Sequence, residues 1–323
     1  WKALNESLEK PLYNRPLKGI YPPGSTYKPF MALAALETGK RTPSQSISDP
    51  GFFTFGNHTF RDDKVGGHGS VDMAKSIVES CDTYYYHLAR DMGVNMMHDF
   101  MKPLGFGQIT GIDLEGEVRG ILPSTAWKER SFKKPEQQKW FEGETISLGI
   151  GQGYNSFSIL QLAHATANLA NQGVVMKPHL VKSIEDPISK ERTLTTPKES
   201  YRIPLKKENI DVITNAMLDV NRFGTSAAAF KGASYNAAGK TGTAQVFSLN
   251  SKSYSHGSTP EFLRDHALYI VFAPAEKPKI AIAMVVENAG FGAAQAAPIA
   301  RKALDYYIEG RWPKEIPEWK NAP

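Results

Sequence analysis

A single cysteine, Cys81, in 323 residues excludes an internal disulfide, so cysteine usage says nothing about redox compartment. No run of ~18 apolar residues occurs, so no stretch of this sequence reads as a bilayer-spanning helix. The chain opens on Trp1-Lys2-Ala3-Leu4 without the apolar core of a signal peptide, and the expectation is an excised fragment with a membrane anchor upstream. There is no internal repeat, no low-complexity tract, and no Arg/Lys cluster interleaved with aromatics, so no nucleic-acid partner is expected. What remains is globular: 41% hydrophobic and 22% charged, enough to bury a sizeable core. A net charge of +5 and a pI near 9.0 fit simple solubility, or an acidic polymer or anionic membrane surface nearby.

Chemistry concentrates first at Gly24-Ser25-Thr26-Tyr27-Lys28-Pro29. Tyr21-Pro22-Pro23-Gly24 is a rigid turn, and Phe30 to Leu36 has high helix propensity up to a stop at Gly39. This places Ser25 at a helix N-cap, with Lys28 on the same face and within reach of its hydroxyl. A serine becomes a nucleophile when a base takes its proton. A lysine serves as that base if burial and the positive helix end lower its pKa. Alone, Ser-x-x-Lys is equally an ordinary cap followed by a solvated lysine.

Along the chain, Phe53-Thr54-Phe55 and His58-Thr59-Phe60 alternate as a short hairpin within a turn-rich region from Thr42 to Gly69. Val71 to Glu79 and Thr83 to Met92 read as helices flanking Ser80-Cys81-Asp82, with Gly93 ending the second and another short helix over Asn95 to Leu104. Residues 128–144 read as a charged, aromatic surface loop. Ile159 to Asn171 is a helix capped by Ser156 or Ser158, and Val174 to Ile184 a strand pair around Pro178. Lys207 to Val220 carries a helical apolar stripe. Lys240 to Phe247 reads as a strand, Ser248 to Asp265 as a polar mobile segment, and Ala267–Ala273 with Lys279–Val286 as a hairpin. A closing helix from Ala297 to Ile308 is expected to turn Ile299, Ala303, Tyr306 and Tyr307 inward, giving an α/β sandwich.

Three pieces then stand in order: Ser25-Thr26-Tyr27-Lys28, Ser80-Cys81-Asp82 and Lys240-Thr241-Gly242-Thr243. The set resembles the Ser-x-x-Lys, Ser-Asp-Asn and Lys-Thr-Gly motifs of penicillin-binding proteins and serine β-lactamases. Tyr-Pro-Pro-Gly-Ser-Thr at 21–26, Thr-Gly-Ile-Asp-Leu at 110–114, Gly-Ile-Gly-Gln-Gly at 149–153 and Gly-Thr-Ala-Gln-Val-Phe at 242–247 look like class B enzymes, in the penicillin-binding protein 2 branch of the rod-shape, or elongation, system.

The resemblance implies one transpeptidase domain over 1–323: an antiparallel sheet flanked by helices, plus an all-helical subdomain. The helical part would run over roughly 25–234, and the C-terminal sheet and helix over roughly 235–312. The family's anchor, pedestal and first sheet strands would lie upstream. It implies Ser25 as nucleophile, Lys28 as base and Ser80 as proton relay. Lys240 would supply positive field and help hold Lys28 deprotonated. Thr241, Gly242 and Thr243 would bind substrate as an added strand, with the Ser25 and Thr243 N–H groups as oxyanion hole. Asp82 departs from the commoner asparagine and cannot donate as an amide would; it would pair with Lys28 or Lys240, or accept from a substrate N–H.

The implied substrate is a peptidoglycan stem peptide ending in D-Ala-D-Ala. β-Lactams would act as acylating inhibitors, and a membrane glycosyltransferase and scaffold proteins of the rod system as partners, at the periplasmic face of the bacterial inner membrane. No cofactor is needed for the chemistry. Rival readings are a serine β-lactamase or D,D-carboxypeptidase, for which Glu142 and Glu144 are the mid-chain candidates for a water-activating base, and a non-enzymatic β-lactam sensor. Asp49, Asp62, His68 and Cys81 are a zinc ligand set by type, with Asp63 able to replace Asp62. Their irregular spacing favours turn aspartates, a surface histidine and a buried thiol; the resemblance implies a structural zinc.

Overall fold

A computed structural model describes residues 1–7, 9–246 and 260–313. Helix α1 (Lys28–Glu37) is buried along its whole length from Lys28 to Leu36, as expected of a helix apolar on every side. It runs through the middle of the helical part. The turn-rich region carries β1 (Ile47–Asp49), the hairpin β2 (Phe52–Phe55) and β3 (His58–Arg61), and β4 (Gly69–Val71), which returns to pair with β1. Helix α2 (Met73–Val78) starts where the Asp72 carboxylate accepts from the Lys75 N–H, and it ends just before Ser80. Helix α3 spans Asp82–Met101 and is kinked at Gly93, whose φ of 71° leaves the helical region; the two helices read from the sequence are its two arms.

The 128–144 stretch lies mostly at the surface, as expected, but short helices interrupt the loop and Lys128 is buried. Helices at Thr125–Ser131 and Pro135–Gln138 bring Lys128 inside, 2% exposed. Its ammonium pairs with Glu144, which lies on α4 (Glu142–Leu148), and sits 5.1–5.9 Å from the ring centres of Phe132, Trp140, Phe141 and Tyr154. A composition that looks solvated is thus one buried cation wrapped in aromatic faces and paired with a carboxylate. Helix α5 (Ile159–Ala170) is capped by Ser158, which accepts from the Gln161 N–H while Gln161 reaches back to the Ser158 N–H.

Val174–Met176 does not pair with its neighbours around Pro178. It pairs with Glu199–Arg202, and Ser183–Glu185 pairs instead with Arg192–Leu194. Helix α6 (Lys207–Arg222) buries Ile210, Ile213, Met217 and Val220 as its periodicity requires.

The C-terminal sheet is antiparallel, in the order β5 (Ala238–Ala244), β6 (His266–Ala273), β7 (Ile280–Val286). Lys240 is opposite Ile270, and Thr243 opposite Ala267. Strand β6 is buried on both faces: Leu268, Ile270 and Phe272 join the main core, while Ala267, Tyr269, Val271 and Ala273 pack towards α7 (Gly292–Glu309). Period-two alternation splits the two cores. Helix α7 starts five residues before the sequence reading and presents Ala296, Ala297, Ala300 and Leu304 to the sheet. Ile299, Ala303, Tyr306 and Tyr307 face outward instead, on the side of the helix opposite Ala296, Ala300 and Leu304. Residues 247–259 of the predicted strand end and mobile segment lie outside the described residues. Among the described residues no helix is long and apolar enough to cross a membrane.

Candidate active site

The Tyr21-Pro22-Pro23-Gly24 turn delivers Ser25 to the mouth of a cleft of about 370 Å³. Gly24 adopts φ +53°, and a Cβ there would fall 2.3 Å from the Thr243 carbonyl oxygen, so both backbone angle and space call for glycine. Ser25 does not cap an α-helix. Gly24–Tyr27 forms a 3₁₀ turn, α1 begins at Lys28, and the Ser25 carbonyl accepts from the Lys28 N–H. The tighter turn nearly eclipses residues i and i+3, which keeps Lys28 over Ser25.

Lys28 is fully buried and its Nζ donates to the Ser80 carbonyl (2.5 Å), the Ser80 hydroxyl (3.2 Å) and Asp82 Oδ1 (2.5 Å). Among the described hydrogen bonds none joins it to the Ser25 hydroxyl, which the sequence had given as its partner. Ser80 occupies the short link between α2 and α3 with φ +62°, a conformation uncommon for a residue with a Cβ and found at sites where surroundings over-determine the backbone. From the other side the fully buried Lys240 amine donates to the Ser80 hydroxyl at 2.8 Å and to the Thr241 carbonyl at 3.2 Å. One hydroxyl therefore bridges two lysines, one 52 residues before it in sequence and one 160 residues after it.

Burial first, and then the charge of Lys28, push the Lys240 amine well below the ordinary lysine value. Burial likewise raises Asp82, against the opposing pull of Lys28. Of the pairings open to Asp82, the structure selects Lys28.

Thr241, Gly242 and Thr243 form the cleft wall on the edge of β5 away from β6. A Cβ on Gly242 would fall 2.7 Å from the Thr26 side chain, so the missing side chain serves the fit to the nucleophile turn as well as any approaching substrate. Two further lining residues were not singled out in the sequence as site residues. Thr225 shares a hydrogen bond of 2.8 Å with the Thr241 hydroxyl, and Gln152 donates to the Thr243 carbonyl at 3.1 Å. Gln152 stood inside a glycine-rich motif that could have flagged it; Thr225 carries no sequence signal. Neither Glu142 nor Glu144 lines the cleft, and Glu144 is occupied by Lys128, Tyr154 and the Phe141 N–H.

Behind the Ser80–Asp82 link, Asp49, Asp62, His68 and Cys81 are all buried and offer ligand atoms within 4.8 Å of one another. His68 Nδ1 is 2.8 Å from Asp49 Oδ2 and 3.4 Å from Asp62 Oδ1, while Cys81 Sγ is 3.4 and 3.5 Å from the same two carboxylates. Asp63 is not part of this group; it is exposed and lines the catalytic cleft. Burial, then the Asp62 charge, raises the Cys81 thiol. Two carboxylates and a thiol surround one imidazole. By type these are donors that zinc takes.

The penicillin binding protein transpeptidase domain, as a family, matches residues 2–305. The chain belongs to the penicillin-binding protein transpeptidase family. Among relatives of this family, it is 41% identical to the Haemophilus influenzae peptidoglycan D,D-transpeptidase MrdA, over 97% of this chain and 48% of that protein. The chain thus spans about half the length of the curated relatives it matches. Solved penicillin-binding proteins superpose closely. Pseudomonas aeruginosa PBP2, in complex with WCK 5153, gives a TM-score of 0.83 at 39% identity, covering 98% of this chain and 68% of that one. Helicobacter pylori PBP2, in complex with MreC, gives 0.80 at 30%, covering 96% and 54%. The expected fold, a transpeptidase fold of mixed helix and sheet, is that of the chain.

Proposed function

We propose that this chain is the catalytic unit, one domain over 1–323, of a peptidoglycan D,D-transpeptidase serving lateral wall elongation. The observation that carries the reading is the shared Ser80 hydroxyl: it joins Lys28 to Lys240 directly beneath a cleft lined by Ser25 and the Thr241–Thr243 edge. A stem peptide lies along that edge as an added strand, its terminal carboxylate drawn by the Thr241 and Thr243 hydroxyls and the nearby lysines. The Ser25 oxygen attacks the carbonyl between the two D-alanines while Lys28 takes the hydroxyl proton. The Ser25 and Thr243 N–H groups stabilise the oxyanion.

Ser80 passes the proton to the leaving amine, the C–N bond breaks, and D-Ala departs from a Ser25 ester. The amine of a neighbouring stem peptide then attacks that ester, the ester C–O bond breaks as the cross-link amide forms, and a proton from that amine passes to the Ser25 oxygen. Asp82 holds Lys28 in place. β-Lactams stop at the ester because it hydrolyses slowly.

A β-lactamase needs a base aimed at deacylating water; the occupied Glu144, outside the cleft, gives this rival no support. The Helicobacter pylori PBP2 complex with MreC supports a scaffold partner of that kind, and a neighbour from a peptidoglycan synthase complex that coordinates polymerization and crosslinking supports a glycosyltransferase partner. Placement at the periplasmic face of the inner membrane, in wall elongation, belongs to the same proposal.

Asp49, Asp62, His68 and Cys81 would hold one structural zinc, whose role is to pin the 49–68 loop to the Ser80 turn; no catalytic step passes through it. Metal analysis of protein purified without chelator should give one zinc per chain, and a substoichiometric value counts against this site. For the chemistry the test is intact-mass spectrometry after benzylpenicillin. The wild-type chain should gain one adduct, and a Ser25→Ala chain that still gains it refutes the nucleophile.

A further inference from the structure

The Gly149-Ile150-Gly151-Gln152-Gly153 loop is wedged between α3, the nucleophile turn and the end of β5. Its glycines are there because backbone meets backbone. A Cβ on Gly149 would fall 2.4 Å from the Tyr85 carbonyl oxygen, and one on Gly151 (φ +71°) 2.3 Å from that of Gly24. The Gly24 N–H donates to the Gly151 carbonyl at 3.0 Å. Gly24 in turn abuts the Thr243 carbonyl, and Gln152 reaches from the same loop to that carbonyl at 3.1 Å. Gly151, Gly24, Thr243 and Gln152 therefore close a ring that ties the loop to both walls of the cleft at once.

Geometry gives this ring a chemical consequence. Thr243 is the last residue but one of β5, and beyond Ala244 the chain is exposed at Gln245 and Val246. In an extended residue the N–H and C=O lie on the same edge of the strand, so holding the carbonyl fixes the direction of the N–H. The Thr243 carbonyl faces Gly24 and Gln152, which puts its N–H on the same open edge.

We propose that Gln152 is a positioning residue for acyl transfer: its amide, by clamping the Thr243 carbonyl, aims the Thr243 N–H at the oxyanion. This rests on the acyl-enzyme reading above. Gln152 acts through Thr243, so its contribution belongs to the transition state, where negative charge reaches the oxygen, and not to substrate capture.

Stopped-flow acylation of the whole chain by benzylpenicillin separates the dissociation constant of the first complex from the first-order acylation rate. Gln152→Glu keeps the size and loses the donor; Gln152→Ala loses both. Complete loss of an oxyanion donor costs about 10²–10³-fold, and a donor merely left unaimed should cost about tenfold. Both variants are expected to acylate about tenfold more slowly, with the dissociation constant within about twofold and the melting temperature within about 2 °C of wild type.

An unchanged acylation rate overturns the proposal, as does a weaker first complex with the rate intact, which would make Gln152 a direct substrate contact. A loss matched by a large fall in melting temperature in both variants also overturns it, as a purely structural role. If the wild-type chain itself is not acylated at Ser25, the acyl-enzyme reading fails; if it is acylated and the variants keep pace, only the role of Gln152 falls.

Discussion

Ser80 and Cys81 are neighbours in sequence but face two regions of different electrostatic character. In front, two buried lysines meet at one hydroxyl, with Asp82 on Lys28 and Asp63 in the cleft wall beside them. Behind, two buried carboxylates and a thiol share one histidine, leaving acidic groups in excess. Charge this deeply buried is costly unless it is paired, so under the proposed function the partners would be a carboxylate-bearing substrate in front and a metal cation behind.

That contrast can be broken from either side. The largest effect is expected at the front: Ser25→Ala should abolish the benzylpenicillin adduct in the intact-mass spectrum while leaving zinc content at the wild-type value. A loss of zinc in that variant would show that the two regions are not separable. Next, Ser80→Ala removes the hydroxyl between the lysines and should slow acylation by about 10²–10⁴-fold, the range of general acid–base contributions, again without loss of metal. Single-turnover acylation measures it, and a change below threefold would remove Ser80 from the relay.

Cys81→Ser attacks the back. Zinc should fall below one per chain, and stability should drop by about 2–5 kcal/mol, as for other losses of buried partners. Chelator should lower the melting temperature of wild type and not of the variant. Equal zinc in both would take Cys81 out of the ligand set.

The smallest effect lies at the outer end of the nucleophile turn. Tyr21 donates to Glu287 at 2.7 Å, and Arg15 pairs with the same carboxylate at 2.7 Å. Burial would raise Glu287, but these two partners outweigh it and hold its pKa below 4.5. A depressed carboxylate contributes stability above its unfolded pKa and loses it as pH falls through the folded value. Tyr21→Phe should therefore lower the melting temperature slightly near neutral pH and flatten its decline below about pH 4.5. A parallel shift at every pH would contradict this, and because Glu287 is partly exposed the difference should stay within about 1 kcal/mol.

Local spacing made much of this legible. Ser25 and Lys28 are one turn apart, the Phe53 and His58 strands are joined by a two-residue turn, and Ser158 with Gln161 is a capping pair. Each is a relation within four or five residues; the hairpin is found as read, the cap is decided for Ser158 over Ser156, and at Ser25 both the turn type and the partner of Lys28 are revised. Relations over longer distances were misread. Val174–Met176 found its partner 25 residues on, at Glu199, because strand pairing follows side-chain packing and not proximity. Lys128 reads as solvated in any local window, yet Glu144 and four rings bury it. The stripe on α7 was misassigned by phase: Tyr306 and Tyr307 are apolar enough to go inside, but the face turned to β6 is the one that carries Ala296, Ala300 and Leu304.

The linear order of residues was enough to settle the family and to single out the nucleophile candidate, because motif chemistry depends on residue type and short spacing; for the Asp49, Asp62, His68 and Cys81 group, spacing left the choice between Asp62 and Asp63 open. Which lysine meets which oxygen, that Ser80 bridges them in a left-handed backbone, that Asp63 turns to the cleft and Asp62 away from it, and that Gln152 reaches Thr243 were all decided by the folded chain. Those contacts join elements up to 160 residues apart, and their geometry exists only once the core has fixed the elements against each other.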